Sequence, residues 1–106
     1  MTTAFDVLAE PTRRQVLTVL LNGPRPAGQL STLLGQSQPG MSRHLRILRD
    51  AGLVSVRQVA QQRWYEIQPG PLAEIDAWLA PFRREWSDRL ARLEDHLRAN
   101  EEAHIA

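Results

Sequence analysis

The 106-residue chain contains no cysteine and no lysine; all thirteen of its basic residues are arginine. Without cysteine there is no disulfide, no thiolate metal ligand and no thiol redox sensor, so none of those chemistries carries its function. No apolar run approaches the ~20 residues needed to cross a bilayer. The first residues, M-T-T-A-F-D, lack the charged and apolar regions of a secretory signal. The expectation is a soluble, cytoplasmic protein with no membrane partner. A Gly-rich phosphate loop, a nucleophile motif and a metal-ligand constellation are missing as well, which argues against an enzyme and predicts no cofactor.

What is present is unevenly distributed. The formal net charge is +1. Residues 1–63 hold eight arginines against Asp6, Glu10 and Asp50, a balance of +5, and residues 64–106 hold five against nine acids, a balance of −4. A basic front and an acidic back predict that only the front half meets a polyanion. The length supports one domain, residues 1–106, with a modest core.

Ser37 to Leu53, S-Q-P-G-M-S-R-H-L-R-I-L-R-D-A-G-L, organises the rest. Ser37 is placed to cap a helix, Pro39 falls in its first turn, and Gly52 follows its end, where a left-handed residue closes helices. Met41, Leu45 and Leu48 recur on one stripe. At about 100° per residue Ser42, Arg43, Arg46 and Asp50 fall on the opposite face, flanked by Gln38 and Arg49. Arginine, glutamine and serine on one helix face suit the base edges and phosphates of DNA, and the helix N-terminus adds free N–H groups. His44 borders the buried stripe and reads as a half-buried structural histidine bonding a carbonyl.

Upstream, Thr3 to Ala9 reads as a short helix carrying Phe5 and Leu8, broken at Glu10-Pro11. Pro11 opens a second helix to Asn22-Gly23, with Val16, Leu17, Leu20 and Leu21 as its buried stripe. Arg13 and Arg14 fall in its first turn, exposed or facing a phosphate. Gly23-Pro24-Arg25-Pro26 reads as a stiff connector, and a third helix follows over Ala27–Leu34, with Leu30, Leu33 and Leu34 apolar. Two helices around a short glycine-containing turn make a helix-turn-helix over about 27–51. From Leu53 the period becomes that of strands: L-V-S-V-R-Q-V, a linker Ala60-Gln61-Gln62, then R-W-Y-E-I, with no Asn-Gly to fix the turn. This hairpin, about 53–67, is a wing decorated by Arg57, Gln61, Gln62 and Arg63. The expected fold is therefore mainly α with a small β-hairpin wing, a winged helix-turn-helix.

From Pro71 to about residue 100 the helical period returns. Leu72, Ile75, Leu79, Phe82, Trp86, Leu90, Leu93 and Leu97 form an apolar seam of nearly heptad spacing, widened by Trp78. Pro81 is expected to kink or split it near Ala80, and Glu101 to Ala106 to fray. So small a domain has little core to cover this seam, so much of it is expected to face a second copy, with the chain's own core as the alternative. With Phe5 of the first helix, these eight residues make up the expected homodimer interface, the terminal helices serving dimerisation.

L-A-E-P-T-R-R-Q-V-L (Leu8–Leu17), L-G-Q-S-Q-P-G-M-S-R-H-L (Leu34–Leu45) and L-R-D-A-G-L-V (Leu48–Val54) resemble ArsR/SmtB-type bacterial repressors. The similarity runs from about Phe5 to Leu97. It implies a homodimeric winged-helix protein that binds an operator near its own gene and leaves when a signal arrives. The family's DNA-contacting positions correspond here to Gln38, Ser42, Arg43, Arg46 and Arg63; Ser37, Gly40, Arg57 and Gln62 complete the candidate double-stranded DNA surface. Gly40 stands where the family usually has Thr or Ala, marking a close approach of backbone to DNA or little at all. The thiolates of metal-sensing members would fall at Pro26 and Gly28. On the last helix Asp95, His96 and His104 lack chelating spacing, so no metal site is expected. The effector is left to a small apolar molecule, a partner protein or concentration alone. The competing reading is a winged helix whose arginine face meets an acidic protein.

Overall fold

The computed structural model describes residues 3–105, of which Ile105 is described in backbone only. Eight elements follow one another: α1 (Ala4–Leu8), α2 (Pro11–Leu20), β1 (Arg25–Pro26), α3 (Ala27–Leu34), α4 (Gln38–Asp50), β2 (Val54–Val59), β3 (Gln62–Ile67) and α5 (Leu72–Ile105). They fall into two units, residues 1–75 and 76–106, the second consisting of α5 from Asp76 onward.

In the first unit each helix begins where its sequence supplies an acceptor or a preset φ. Thr3 and Asp6 form a capping box at α1, with Asp6 N donating to Thr3 Oγ1 at 3.2 Å and Thr3 N to Asp6 Oδ2 at 3.0 Å. The Thr3 backbone N–H holds the Asp6 carboxyl below its ordinary value of 3.8. Glu10 caps α2 by accepting from Thr12 N at 2.9 Å, and that bond, helped by the Thr12 hydroxyl, holds the carboxyl below 4.5. Ser37 caps α4 by accepting from Gly40 N at 3.1 Å, as its sequence requires.

Arg13 and Arg14 turn back instead of reaching outward. Arg13 Nε donates to Val7 O at 2.6 Å, and Arg14 Nη1 to Leu8 O and, at 3.3 Å, Ala9 O. These are the carbonyls that the end of α1 leaves without helical donors. The two cations thereby offset their unfavourable position at the start of α2.

The core gathers Val7 from α1, Val16, Leu17 and Leu20 from α2, Leu30 from α3, Met41, Leu45 and Leu48 from α4, and Leu53, Val54 and Tyr65 from the wing. Leu21 does not join Leu20 there. It is the C-cap of α2, turned past the stripe, and is 71% exposed. Leu33 is likewise exposed.

Gly23-Pro24-Arg25-Pro26 does more than connect. Arg25 pairs with Tyr65 and Pro26 with Trp64, making β1 the third strand of an antiparallel sheet ordered β1-β3-β2. A strand containing proline is tolerated there because β1 lies at the sheet edge. The hairpin is one residue tighter than its linker suggests. Val59 pairs with Gln62, leaving only Ala60-Gln61 in the turn, and Ala60 takes a φ of 54°. At the base of the wing Gln68 N donates to Leu53 O at 2.7 Å.

The second unit is unbroken by its proline. Helix α5 runs from Leu72 to Ile105 with Pro81 inside it, so the expected split near Ala80 does not occur. Arg83 supplies a clip across that turn, Nη2 donating to Asp76 O at 3.1 Å and Nη1 meeting the Asp76 carboxylate at 3.0 Å. The tail expected to fray from Glu101 is helical through Ile105, while Ala106 lies outside the described residues. No helix among the described residues is long and apolar enough to cross a membrane.

Candidate nucleic-acid interface

Helix α4 buries Met41, Leu45 and Leu48 and leaves Gln38, Ser42, Arg43, Arg46, Arg49 and Asp50 exposed, the division its periodicity predicts. His44 is half-buried as expected, but its Nδ1 is buried with no partner among the described residues, so the expected carbonyl bond is not made there. On the wing Arg57, Gln61, Gln62 and Arg63 are all exposed.

The distribution of ion pairs gives this surface its character. Every ion pair among the described residues joins side chains of α5: Arg83 with Asp76, and Arg89 and Arg92 with Glu85. Among the described residues none of the eight arginines of the first unit pairs with an acid. Arg13, Arg14 and Arg25 bond backbone carbonyls. Arg43, Arg46, Arg49, Arg57 and Arg63 have no hydrogen-bond or ion-pair partner among the described residues. Five guanidinium groups thus stand in water with no internal acid to neutralise them, three on α4 and two on the wing.

The structure also brings part of the helix face and part of the wing together. Gln38 and Ser42 of α4 and Gln61, Gln62 and Arg63 of the wing line one cleft of about 300 Å³. Its remaining walls are Met41 and the start of α3, namely Pro26, Ala27, Gly28 and Ser31. Arg43, Arg46 and Arg57 lie outside this cleft. The α3 residues and Ser31 were not legible as site residues, because their contribution comes from packing α3 against the wing tip. A lone serine among Leu30, Leu33 and Leu34 was the one local signal.

Gly40 has a role inside its own helix. A Cβ there would lie 3.0 Å from Ser37 Oγ, so the glycine makes room for the cap hydroxyl. Of the seam residues, Leu72 packs against the chain's own core and Ile75 and Leu79 are half-buried. Phe82, Trp86, Leu90, Leu93 and Leu97 are exposed, and Phe5 is 39% exposed. Among the described residues no three His, Asp or Glu side chains gather as metal ligands would.

Residues 10–56 match the family described as bacterial regulatory protein, arsR family. The HTH-type transcriptional regulator Rv2034 of Mycobacterium tuberculosis is 38% identical over 79 residues, 74% of each chain. The transcriptional repressor SdpR of Bacillus subtilis is 30% identical over 82 residues, 77% of this chain and 91% of that one. The crystal structure of an ArsR family transcriptional regulator superposes with a TM-score of 0.67 at 31% identity, covering 78% of this chain and 86% of that one.

Proposed function

The chain belongs to the arsR family of bacterial regulatory proteins, and on that premise we propose that it is an autoregulatory repressor that binds operator DNA as a homodimer and answers to something other than a metal ion. As in that family, it is a winged-helix DNA-binding transcriptional regulator and not an enzyme. The observation that carries the finer reading is the set of five arginines on α4 and the wing with no partner among the described residues. A polyanion supplies the missing acids.

The chemistry then follows from position. Helix α4 enters the major groove by its N-terminal half, where Gln38 and Ser42 meet base edges and Arg43 and Arg46 follow one turn on. Ser37 and Gly40 hold the first turn against the backbone, and Arg57, Gln62 and Arg63 place the wing on the flanking phosphates or minor groove. The exposed part of the α5 seam joins a second copy, so that two α4 helices reach two half-sites. The metal-independent reading is supported by the absence of thiols and by Pro26 and Gly28 standing where metal-sensing members carry theirs.

The test is anisotropy binding to DNA upstream of the protein's own gene and to a shuffled control, across salt. Specificity of about 10³ or more is expected, with log affinity falling by about 0.9 per neutralised phosphate for each unit of log salt. Arg43→Ala should cost about 1–3 kcal/mol and relax the preference at one base. Weak binding, equal on both DNAs and flat in salt, would sink the repressor reading and turn attention to an acidic protein partner.

A further inference from the structure

We propose that Pro81 is a hinge in α5 and that Arg83 is the positioning residue that holds it, so that one breakable clip sets the bend of the helix and, through it, the spacing of operator half-sites. The consequence for DNA rests on the homodimeric operator reading; the hinge does not.

A proline inside a helix removes one donor and strains one neighbour. Pro81 has no N–H, so the carbonyl of Ala77 loses the bond that residue 81 would otherwise supply. The ring also disfavours helical angles at the preceding residue, Ala80, whose N–H is the helical donor to Asp76 O. Two successive rungs of the ladder are therefore weakened. Sharp bends in helices occur almost always at such a point or at glycine. The sequence of α5 holds no glycine and no second proline, so it provides for a bend at Pro81 alone.

Arg83 bridges this point from outside the ladder. Its Nη2 donates to Asp76 O at 3.1 Å, and its Nη1 meets Asp76 Oδ1 at 3.0 Å. One planar guanidinium thereby ties both the backbone and the side chain of a residue before Pro81 to a residue after it. Arg89 offers the contrast. It meets the Glu85 carboxylate four residues back, an ordinary surface pair that involves no backbone group.

The clip opens easily. The Arg83 side chain is 45% exposed and that of Asp76 74%, so water and salt compete for both. A buried pair would fix the turn; this one leaves a clipped and an open state close in stability. Position gives the bend its leverage. Leu72, before the proline, packs against the core that carries α4, whereas the exposed seam from Phe82 to Leu97 follows the proline. With the seam held by a second copy, a change of angle at Pro81 changes how far apart the two α4 helices stand.

The experiment is double electron–electron resonance on the full chain, which has no cysteine of its own. Nitroxides are attached through Ala73→Cys and Ala91→Cys, exposed positions of α5 on either side of Pro81. Dilution with unlabelled protein leaves only distances within one chain. A straight helix separates these positions by about 27 Å. The wild type should give one narrow distribution at low salt that broadens as salt rises. Arg83→Ala should be broad at every salt concentration. Asp76→Asn, which keeps the carbonyl bond, should be intermediate and insensitive to salt. Arg83→Lys, a point charge without the fork, should not restore the wild-type width. Pro81→Ala should be narrow with or without Arg83. An Arg83→Ala distribution that matches the wild type overturns the clip, and one that stays broad in the Pro81→Ala background overturns the hinge. In a second arm the spacer between operator half-sites is lengthened by one base pair, which should weaken the wild type several-fold more than Arg83→Ala. Equal losses overturn the link to spacing. A chain that binds no operator overturns the operator reading instead, and the distances, measured without DNA, still decide the hinge.

Discussion

Ser37 and Gly40 work as a pair at the tip of α4. The Ser37 hydroxyl satisfies one otherwise free N–H, and a methyl group on Gly40 would press on that hydroxyl at 3.0 Å. Ser37→Ala should therefore cost ~1 kcal/mol of folding stability. Gly40→Ala alone should return less than the ~1 kcal/mol of helix propensity it adds, because the cap must shift to admit it. In the Ser37→Ala background the same alanine should stabilise, so urea unfolding of all four proteins should show coupling. Strict additivity would mean that glycine and cap are independent. At this scale the outward residues Gln38, Ser42, Arg43 and Arg46 were legible because helical geometry alone fixes their direction. The targets of Arg13 and Arg14 were not, since the carbonyls they reach belong to a different helix across the Ala9-Glu10 turn. The Nδ1 of His44 was misjudged for a related reason. Its burial follows from the stripe, whereas its partners depend on which atoms α2 brings near; among them Glu10, whose carboxyl feels the imidazole.

At the scale of elements, the helices and the hairpin follow from local periodicity and caps, which is why their existence was readable and their ends nearly so. The pairing of Arg25 and Pro26 with Tyr65 and Trp64 was not readable: two residues carry no alternation, and their partners lie about forty positions away. Of the two outcomes expected at Pro81, a kink or a split, the split does not occur. A proline inside a helix costs roughly 3 kcal/mol, yet α5 continues through it, with the Arg83 clip spanning the turn. The hairpin turn shows a similar local penalty that remains in place. Ala60 holds a φ of 54°, a left-handed value that costs a residue bearing Cβ roughly 1–2 kcal/mol. Ala60→Gly removes that penalty and adds unfolded-state freedom, so a net gain of ~0.5–1 kcal/mol is expected. It should appear as a higher urea midpoint at unchanged slope. A lower midpoint would show that the turn does not hold this conformation in solution.

Across the whole molecule, charge and apolar surface divide the labour. The uncompensated arginines belong to the first unit and the exposed apolar seam to the second, so the two contacts proposed, with a polyanion and with another copy, draw on different units. Phe82, Trp86, Leu90, Leu93 and Leu97 step by 4, 4, 3 and 4 along α5, which stacks them on one stripe, and all are exposed in the single chain. Soluble monomers rarely leave so continuous an apolar face in water. Burying each large side chain against a partner contributes about 1.5–3 kcal/mol, so a few suffice to hold two copies together. Trp86, 53% exposed near the middle of the stripe, is the residue on which to test this. Trp86→Asp places a charge where the second copy would pack, and sedimentation should report a monomer. Trp86→Phe, which keeps an apolar ring, should remain dimeric. Operator affinity should fall with the first variant and not with the second, because one chain reaches only one half-site. A Trp86→Asp chain that sediments as a dimer would remove α5 from the interface. A monomer with undiminished operator affinity would instead separate dimerisation from DNA binding and leave the arginine face to act alone.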